Sequence, residues 1–239
     1  GRLDEALWVR HLLGESENRT ISKIFEAVSR AAVVARVETL KARKQAPALK
    51  ASERQDPSTS TVGLARALWW AAAVLGVQAP ELHVRAYVAG GLVSLPSTTP
   101  TSLGGSAVCN GLDPLEQAFV VGQHVALHRS EHYIRSQFQT QTELTVILYA
   151  AIKLVAPELP APREFAAQVD ATAQSLACYM EARERDALKY AVKEFLAAGG
   201  RASVKRWSQS VATTAARAGL LLSGDLTVAF NALISQQQL

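Results

Sequence analysis

One short stretch of this 239-residue chain alternates as a β-strand does, which limits the folds open to the chain. Between residues 82 and 88, apolar side chains alternate with polar or aromatic ones, the period of two expected of a strand. Gly90 and Gly91 supply a turn, and residues 92–95 and 106–109 are further strand candidates. The pattern predicts a small antiparallel sheet or hairpin.

Elsewhere, apolar residues recur at three- and four-residue steps, the period of amphipathic helices. These segments cover residues 3–13, 20–44, 61–75, 113–134, 138–155, 163–197, 201–222 and 225–234. Hydrophobic residues make up 49% of the chain and charged residues 19%, a balance typical of a globular protein. We therefore predict a predominantly helical α+β fold, with the sheet or hairpin followed by a helical core.

A set of large apolar residues in these helical segments should form that core. The twelve that we expect to be largely buried are Phe119, Val120, Leu127, Leu144, Ile147, Leu148, Leu176, Leu188, Phe195, Leu220, Leu221 and Phe230.

The stretch 45–61 is rich in Pro, Ser and Thr, which predicts a linker. It separates a helical arm at 1–44 from a main domain at 62–239. Such an arm can pack on the domain or reach a neighbour, which favours a protein partner or other domains of the same chain. Because the sequence does not begin with Met, we expect it to be part of a longer protein.

Charge and composition argue against two other classes of partner. The net charge is +4, and basic residues are interleaved with acidic ones, so we expect no nucleic-acid partner. A weaker alternative is a nucleic-acid surface built from Arg201, Lys205, Arg206 and Arg217, which lacks interleaved aromatic residues. No run approaches the roughly 18 apolar residues that a membrane span needs.

The two cysteines, Cys109 and Cys178, lie far apart and form no C-x-x-C motif. This excludes a zinc finger and a thioredoxin-like site. We expect buried free thiols, as in a protein of the reducing cytoplasm.

The segment that could carry chemistry follows a strong helix start, Asp113-Pro114-Leu115-Glu116. Inside this predicted helix, His124 and His128 are four residues apart, which places both imidazoles on one face. That spacing suits two ligands of a tetrahedral zinc ion. Glu131 and His132 continue the predicted helix and are candidate third ligands. Val125 follows the first histidine, where H-E-x-x-H enzymes carry the glutamate base.

The order of these features resembles the zinc metallopeptidase family of the CAAX prenyl endopeptidases and heat-shock membrane proteases. The hairpin, the Asn110-Gly111-Leu112-Asp113 stretch and the His-x-x-x-His helix follow one another in the family's order. A later segment, Ala212-Thr213-Thr214-Ala215-Ala216-Arg217-Ala218-Gly219, matches the frame of the family's E-x-x-A-D-R-x-G pattern at Ala215, Arg217 and Gly219. The resemblance covers roughly residues 62–225 and implies a zincin-like core.

The departures from the family pattern fall on the catalytic positions. By the resemblance, the base position is Val125, the third-ligand position is Ala212 and the family's aspartate is Ala216. His124 and His128 are then vestigial ligand positions facing Ala212 across one cleft. We predict no catalytic residue, metal or cofactor.

The resemblance thus implies a pseudo-enzyme that binds or scaffolds proteins, within a larger bacterial protein. The alternative is a zinc-dependent hydrolase or peptidase that uses His124 and His128 with a third ligand outside the family pattern.

Overall fold

The computed structural model describes residues 2–201 and 203–237. Within them lie four strands: β1 Arg54–Gln55, β2 Glu81–Val84, β3 Leu92–Leu95 and β4 Thr101–Gly104. The α-helices of these residues are α1 Glu5–His11, α2 Arg19–Ala42, α3 Gly63–Leu75, α4 Ser106–Asn110, α5 Pro114–Ala126, α6 Tyr133–Gln137, α7 Gln141–Val155, α8 Ala166–Tyr179, α9 Ala182–Ala197, α10 Val204–Ser223 and α11 Leu226–Gln237. The predicted class, a predominantly helical α+β protein with a small sheet, is confirmed.

The sheet has the order β1-β2-β4-β3 and is mixed, whereas the sequence predicted an antiparallel sheet or hairpin. β3 and β4 pair antiparallel, as do β1 and β2, but β2 and β4 run parallel. The reason is the connection after β2. Residues 85–91 carry the chain past the position beside β2, and β4 then folds back into the gap between β2 and β3.

Residues 106–109 were predicted as a strand and are helical. Gly105 N–H donates to Gly91 O, and from Ser106 onward the amides turn into helix α4, with Cys109 N–H donating to Gly105 O. The strands that the sequence missed are β1 and β4. In β4 the polar residues Thr101 and Ser102 are adjacent and both are buried, so residues 101–104 lack the alternation of apolar and polar side chains that predicts a strand.

The predicted arm and linker contribute helix α2 and strand β1, which pack with later parts of the chain. Ile21, Ile24, Phe25 and Val28 of α2 are fully buried in a core shared with α6 to α10. The predicted linker at 45–61 supplies β1, in which Arg54 and Gln55 pair with His83 and Leu82 of β2. Helix α2 and strand β1 therefore pack against elements of the region predicted as the main domain.

The predicted linker also contributes a buried ion pair. Glu53 of the predicted linker is buried and accepts two hydrogen bonds from the Arg85 guanidinium.

Cys109 is partly buried and Cys178 is exposed, and both are free thiols. The expectation that both would be buried is wrong for Cys178, which lies on the outer face of α8.

The core prediction is confirmed for seven of the twelve residues, which are buried: Phe119, Leu144, Ile147, Leu148, Leu176, Leu188 and Phe195. Val120, Leu127 and Leu220 are half-buried. Leu221 and Phe230 are wrong, at 49% and 62% exposed, because they lie on the outward faces of α10 and α11. Among the described residues, no helix combines the length and apolarity needed to cross a bilayer.

Helices α5 and α10 approach each other closely at two glycines. A Cβ built on Gly219 would lie 2.6 Å from Phe119 O, and one built on Gly122 would lie 3.0 Å from Gly219 Cα. Phe119 is fully buried at this crossing. The two helices can therefore touch backbone to backbone only while both positions lack a side chain.

We expect Gly219→Ala to destabilise the fold by about 1–3 kcal/mol, since the added methyl group must push α10 away from α5. Chemical denaturation monitored by circular dichroism measures the change. Gly63→Ala is the matched control, because its Cβ would meet only Gln117 Oε1 at 3.9 Å. Equal stability of the two variants would contradict the close-packing account.

Candidate functional site: a histidine pair beside a cleft

His124 and His128 come together at the end of α5. Their ring centroids are 4.7 Å apart. Helix α5 ends at Ala126, and the next turn is tighter, with His128 N–H donating to Val125 O at 2.9 Å. The pair therefore belongs to the last turn of α5 and the first residues beyond it.

Two serine hydroxyls of the sheet face the two imidazoles. Ser102 Oγ and His124 Nε2 are 2.8 Å apart, a hydrogen bond whose donor depends on the histidine tautomer. His128 Nδ1–H donates to His124 O at 3.0 Å, which leaves Nε2 as an acceptor 3.5 Å from Ser94 Oγ. Ser94 and Ser102 are directly opposite each other in the β3–β4 pairing. The sheet thus offers each imidazole one hydroxyl.

Burial makes both imidazoles neutral at pH 7. It lowers the pKa of His128 to about 4. The pKa of His124 falls well below its usual value, first because of burial and second because of the neighbouring His128. A neutral, hydrogen-bonded histidine pair needs no counter-charge to remain inside the fold.

The three positions at which the resemblance would place carboxylates contain apolar side chains. Val125 is fully buried in the core that joins α3, α5 and α10. Ala212 is exposed on α10 and lines a cleft with His124, and Ala216 is half-buried. None of the three can donate an oxygen to a metal or accept a proton.

The alternative third ligands point elsewhere. Helix α5 ends at Ala126, so the prediction that Glu131 and His132 continue the helix of the histidine pair is wrong. His132 Nε2 and Glu17 Oε1 form a buried pair at 2.9 Å, and Glu131 Oε1 accepts from Arg129 Nε. Within residues 2–201 and 203–237, no three His, Cys, Asp or Glu side chains are grouped so that they could hold a metal ion. The residues around the pair do not fit a zinc site.

The Ser102–His124 contact resembles a nucleophile and its base, but its surroundings prevent that chemistry. Ser102 is fully buried, and it does not line the cleft onto which His124 opens. A substrate carbonyl would have to approach the hydroxyl through the sheet. The contact is therefore structural.

The cleft beside His124 is the larger of two cavities near the pair. It has a volume of about 740 Å³ and lies between β3, α5, α10 and α11, with Ala212 on the α10 side. His128 opens instead onto a cavity of about 530 Å³ between α2 and residues 97–100. Of the two histidines expected to face Ala212 across one cleft, His124 does so and His128 does not.

One wall of the cleft is the open edge of the sheet. Gly105 N–H donates to Gly91 O, and in an antiparallel pair the bonded positions alternate, so Val93 and Leu95 turn their backbone groups toward β4. Leu92 and Ser94 therefore direct their N–H and C=O groups outward along the edge. No other strand of the described residues covers this side of β3.

Arg217 does not belong to the basic surface predicted as the nucleic-acid alternative. Arg217 is half-buried and donates to Leu13 O, where it fixes the turn after α1. It therefore does not share an exposed face with Arg201, Lys205 and Arg206.

Sequence reasoning missed Ser94 and Ser102, whose hydroxyls face the imidazoles, and Arg135, which lines the cleft beside His124. A serine between two apolar strand residues was the available signal for Ser94. Comparison with known proteins found no matching family model, no matching curated protein and no matching solved structure. The metallopeptidase resemblance therefore stays a prediction.

We expect acid to destabilise the protein through this pair. Unfolded histidine binds a proton near pH 6.5, whereas His128 in the fold does so only near pH 4. The stability gained from its neutral burial is thus complete above pH 6.5 and is lost as the pH falls toward 4. Between pH 7.5 and 5 this amounts to about 2 kcal/mol.

His128→Asn keeps a donor for His124 O and removes the titration, so its unfolding free energy should fall less between these pH values. Urea denaturation at each pH measures the difference. His11→Asn, a change at an exposed histidine of α1, is the matched control. If the unfolding free energy of His128→Asn fell as much between these pH values as that of the wild type, His128 would not be the residue whose protonation destabilises the fold.

Proposed function

We propose that this chain is a non-catalytic, metallopeptidase-like module that binds an extended peptide segment of a protein partner along β3. The single observation that carries the proposal is the open edge of β3 beside a cleft of about 740 Å³. An unpaired edge strand offers main-chain donors and acceptors to a further strand, and the adjoining cleft offers room for its side chains.

The absence of catalysis in this proposal rests on the chemistry of three positions. The side chains of Val125 and Ala212 have no proton-accepting or metal-binding group. The hydroxyl that contacts His124 belongs to Ser102, which is fully buried. The two free thiols suit a reducing compartment, so we assign the module to the cytoplasm, as part of a larger bacterial protein.

The rival function, a zinc-dependent hydrolase, is favoured by one observation. His128 Nδ1–H is fixed by a backbone carbonyl, the arrangement that orients Nε2 of many metal-binding histidines. Elemental analysis after purification without chelators separates the two functions, together with thermal melts in EDTA and in added zinc. Stoichiometric zinc, or a melting-point drop in EDTA that His124→Ala abolishes, would replace our proposal with the rival.

Peptide binding is tested with a library of randomised, acetylated and amidated octapeptides. We expect selected peptides to bind the wild-type protein and to lose at least tenfold in affinity for Ser94→Pro, because proline removes an outward N–H of β3. Ser94→Ala is the matched control, since it removes only the hydroxyl near His128. Fluorescence polarisation gives both affinities. Equal loss in the two variants would exclude pairing along the edge.

A further inference from the structure

Arg135 of α6 is a half-buried guanidinium on the wall of the cleft. Burial lowers its pKa, and no carboxylate of the described residues pairs with it. Arg85 and Arg129 are also half-buried and pair with carboxylates, and half-buried Arg217 donates to the Leu13 carbonyl. Among the described residues, Arg135 has neither kind of partner. A partly desolvated charge without a counter-charge costs stability, so its presence at a cleft indicates a ligand that pairs with it.

The other side chains of the cleft indicate which groups a ligand should have besides the one that pairs with Arg135. Its walls include apolar side chains of α5 and α10, among them Val120 and Ala215, and amide side chains such as Gln123 and Gln139. Glu116 lies toward the other end of α5, where its carboxylate accepts from Asp113 N–H. The cleft is therefore apolar in part, with one unpaired cation and one distant carboxylate.

We infer that Arg135 receives a single acidic side chain, Asp or Glu, of the extended peptide bound along β3, with an apolar side chain of the same peptide in the cleft. This inference rests on the proposed function. Alternate side chains of an extended segment share a face, so the acidic and apolar residues lie two or four positions apart. Glu116 disfavours a uniformly acidic peptide, because a second carboxylate near it would be repelled.

The planar guanidinium can bind both oxygens of a carboxylate at once, which favours a carboxylate over other polar groups. From Glu116 to His124 the helix rises by roughly 12 Å, at about 1.5 Å per residue. An extended peptide covers that length with about four residues. The recognised segment is accordingly short, and one charged contact contributes a large share of its affinity.

The probes are pools of acetylated, amidated octapeptides with one fixed Leu and with Ala, Ser and Thr at the variable positions. One pool has Glu two or four residues from the Leu, a second has Gln there, and a third has Glu one or three residues away. A fourth pool lacks acidic side chains but has a free C-terminal carboxylate. Affinities are measured by fluorescence polarisation.

Wild-type protein should bind the even-spaced Glu pool about tenfold or more tightly than the Gln and odd-spaced pools. Arg135→Gln should abolish this preference, and Arg135→Lys should retain part of it. Arg10→Gln, which removes an exposed charge of α1 outside the cleft, should leave it unchanged. Thermal melts establish that each variant is folded. If Arg135→Gln does not fold, the ratio of Glu to Gln affinity in Arg135→Lys decides.

The inference is overturned if the Glu and Gln pools bind equally, if the preference survives Arg135→Gln, or if the free-carboxylate pool alone depends on Arg135. In those cases continued loss of binding in Ser94→Pro would leave the proposed function standing. If no pool binds the wild-type protein, or if binding ignores Ser94→Pro, the proposed function falls as well.

Discussion

The backbone contact between α5 and α10 determines where everything else in the site lies. Gly122 and Gly219 let the two helices touch, and Phe119 fills the space beside the crossing. With α5 held there, its last turn brings His124 under the sheet, and α10 brings Ala212 to the cleft. A wider separation of the helices would disturb the hydrogen bond between Ser102 and His124, because that bond joins α5 to the sheet.

The predictions that succeeded were those that depend on local rules. The Asp113 cap with Glu116 forms as the sequence indicated, and the helix predicted to end at residue 75 does end there, with Gly76 next in the left-handed conformation. Both are decided within a few residues of the chain. The same applies to the proximity of His124 and His128, which follows from one helical turn.

The errors share a different cause. Residues 45–61 look like a linker in sequence, yet β1 forms because β2 offers an edge that is distant along the chain. Ser102 looks unsuited to a buried strand, yet His124 supplies its hydrogen bond. No feature of the sequence separates Arg135 from the other arginines, since what distinguishes it is that it is partly buried without a carboxylate partner among the described residues. Each of these three features depends on contacts between residues far apart in the chain, and the pattern of a single sequence does not show which distant residues meet.

The open edge of β3 also has a consequence for self-association. An uncovered strand can pair with the same strand of a second molecule, and natural proteins restrict such edges by keeping them short or interrupting them. Here the strand has four residues and Pro96 follows it directly, so a second strand could form only a few main-chain hydrogen bonds with it. Under the proposed function, the shortness that would limit how much backbone a peptide could pair with would also restrict edge-to-edge pairing between two molecules.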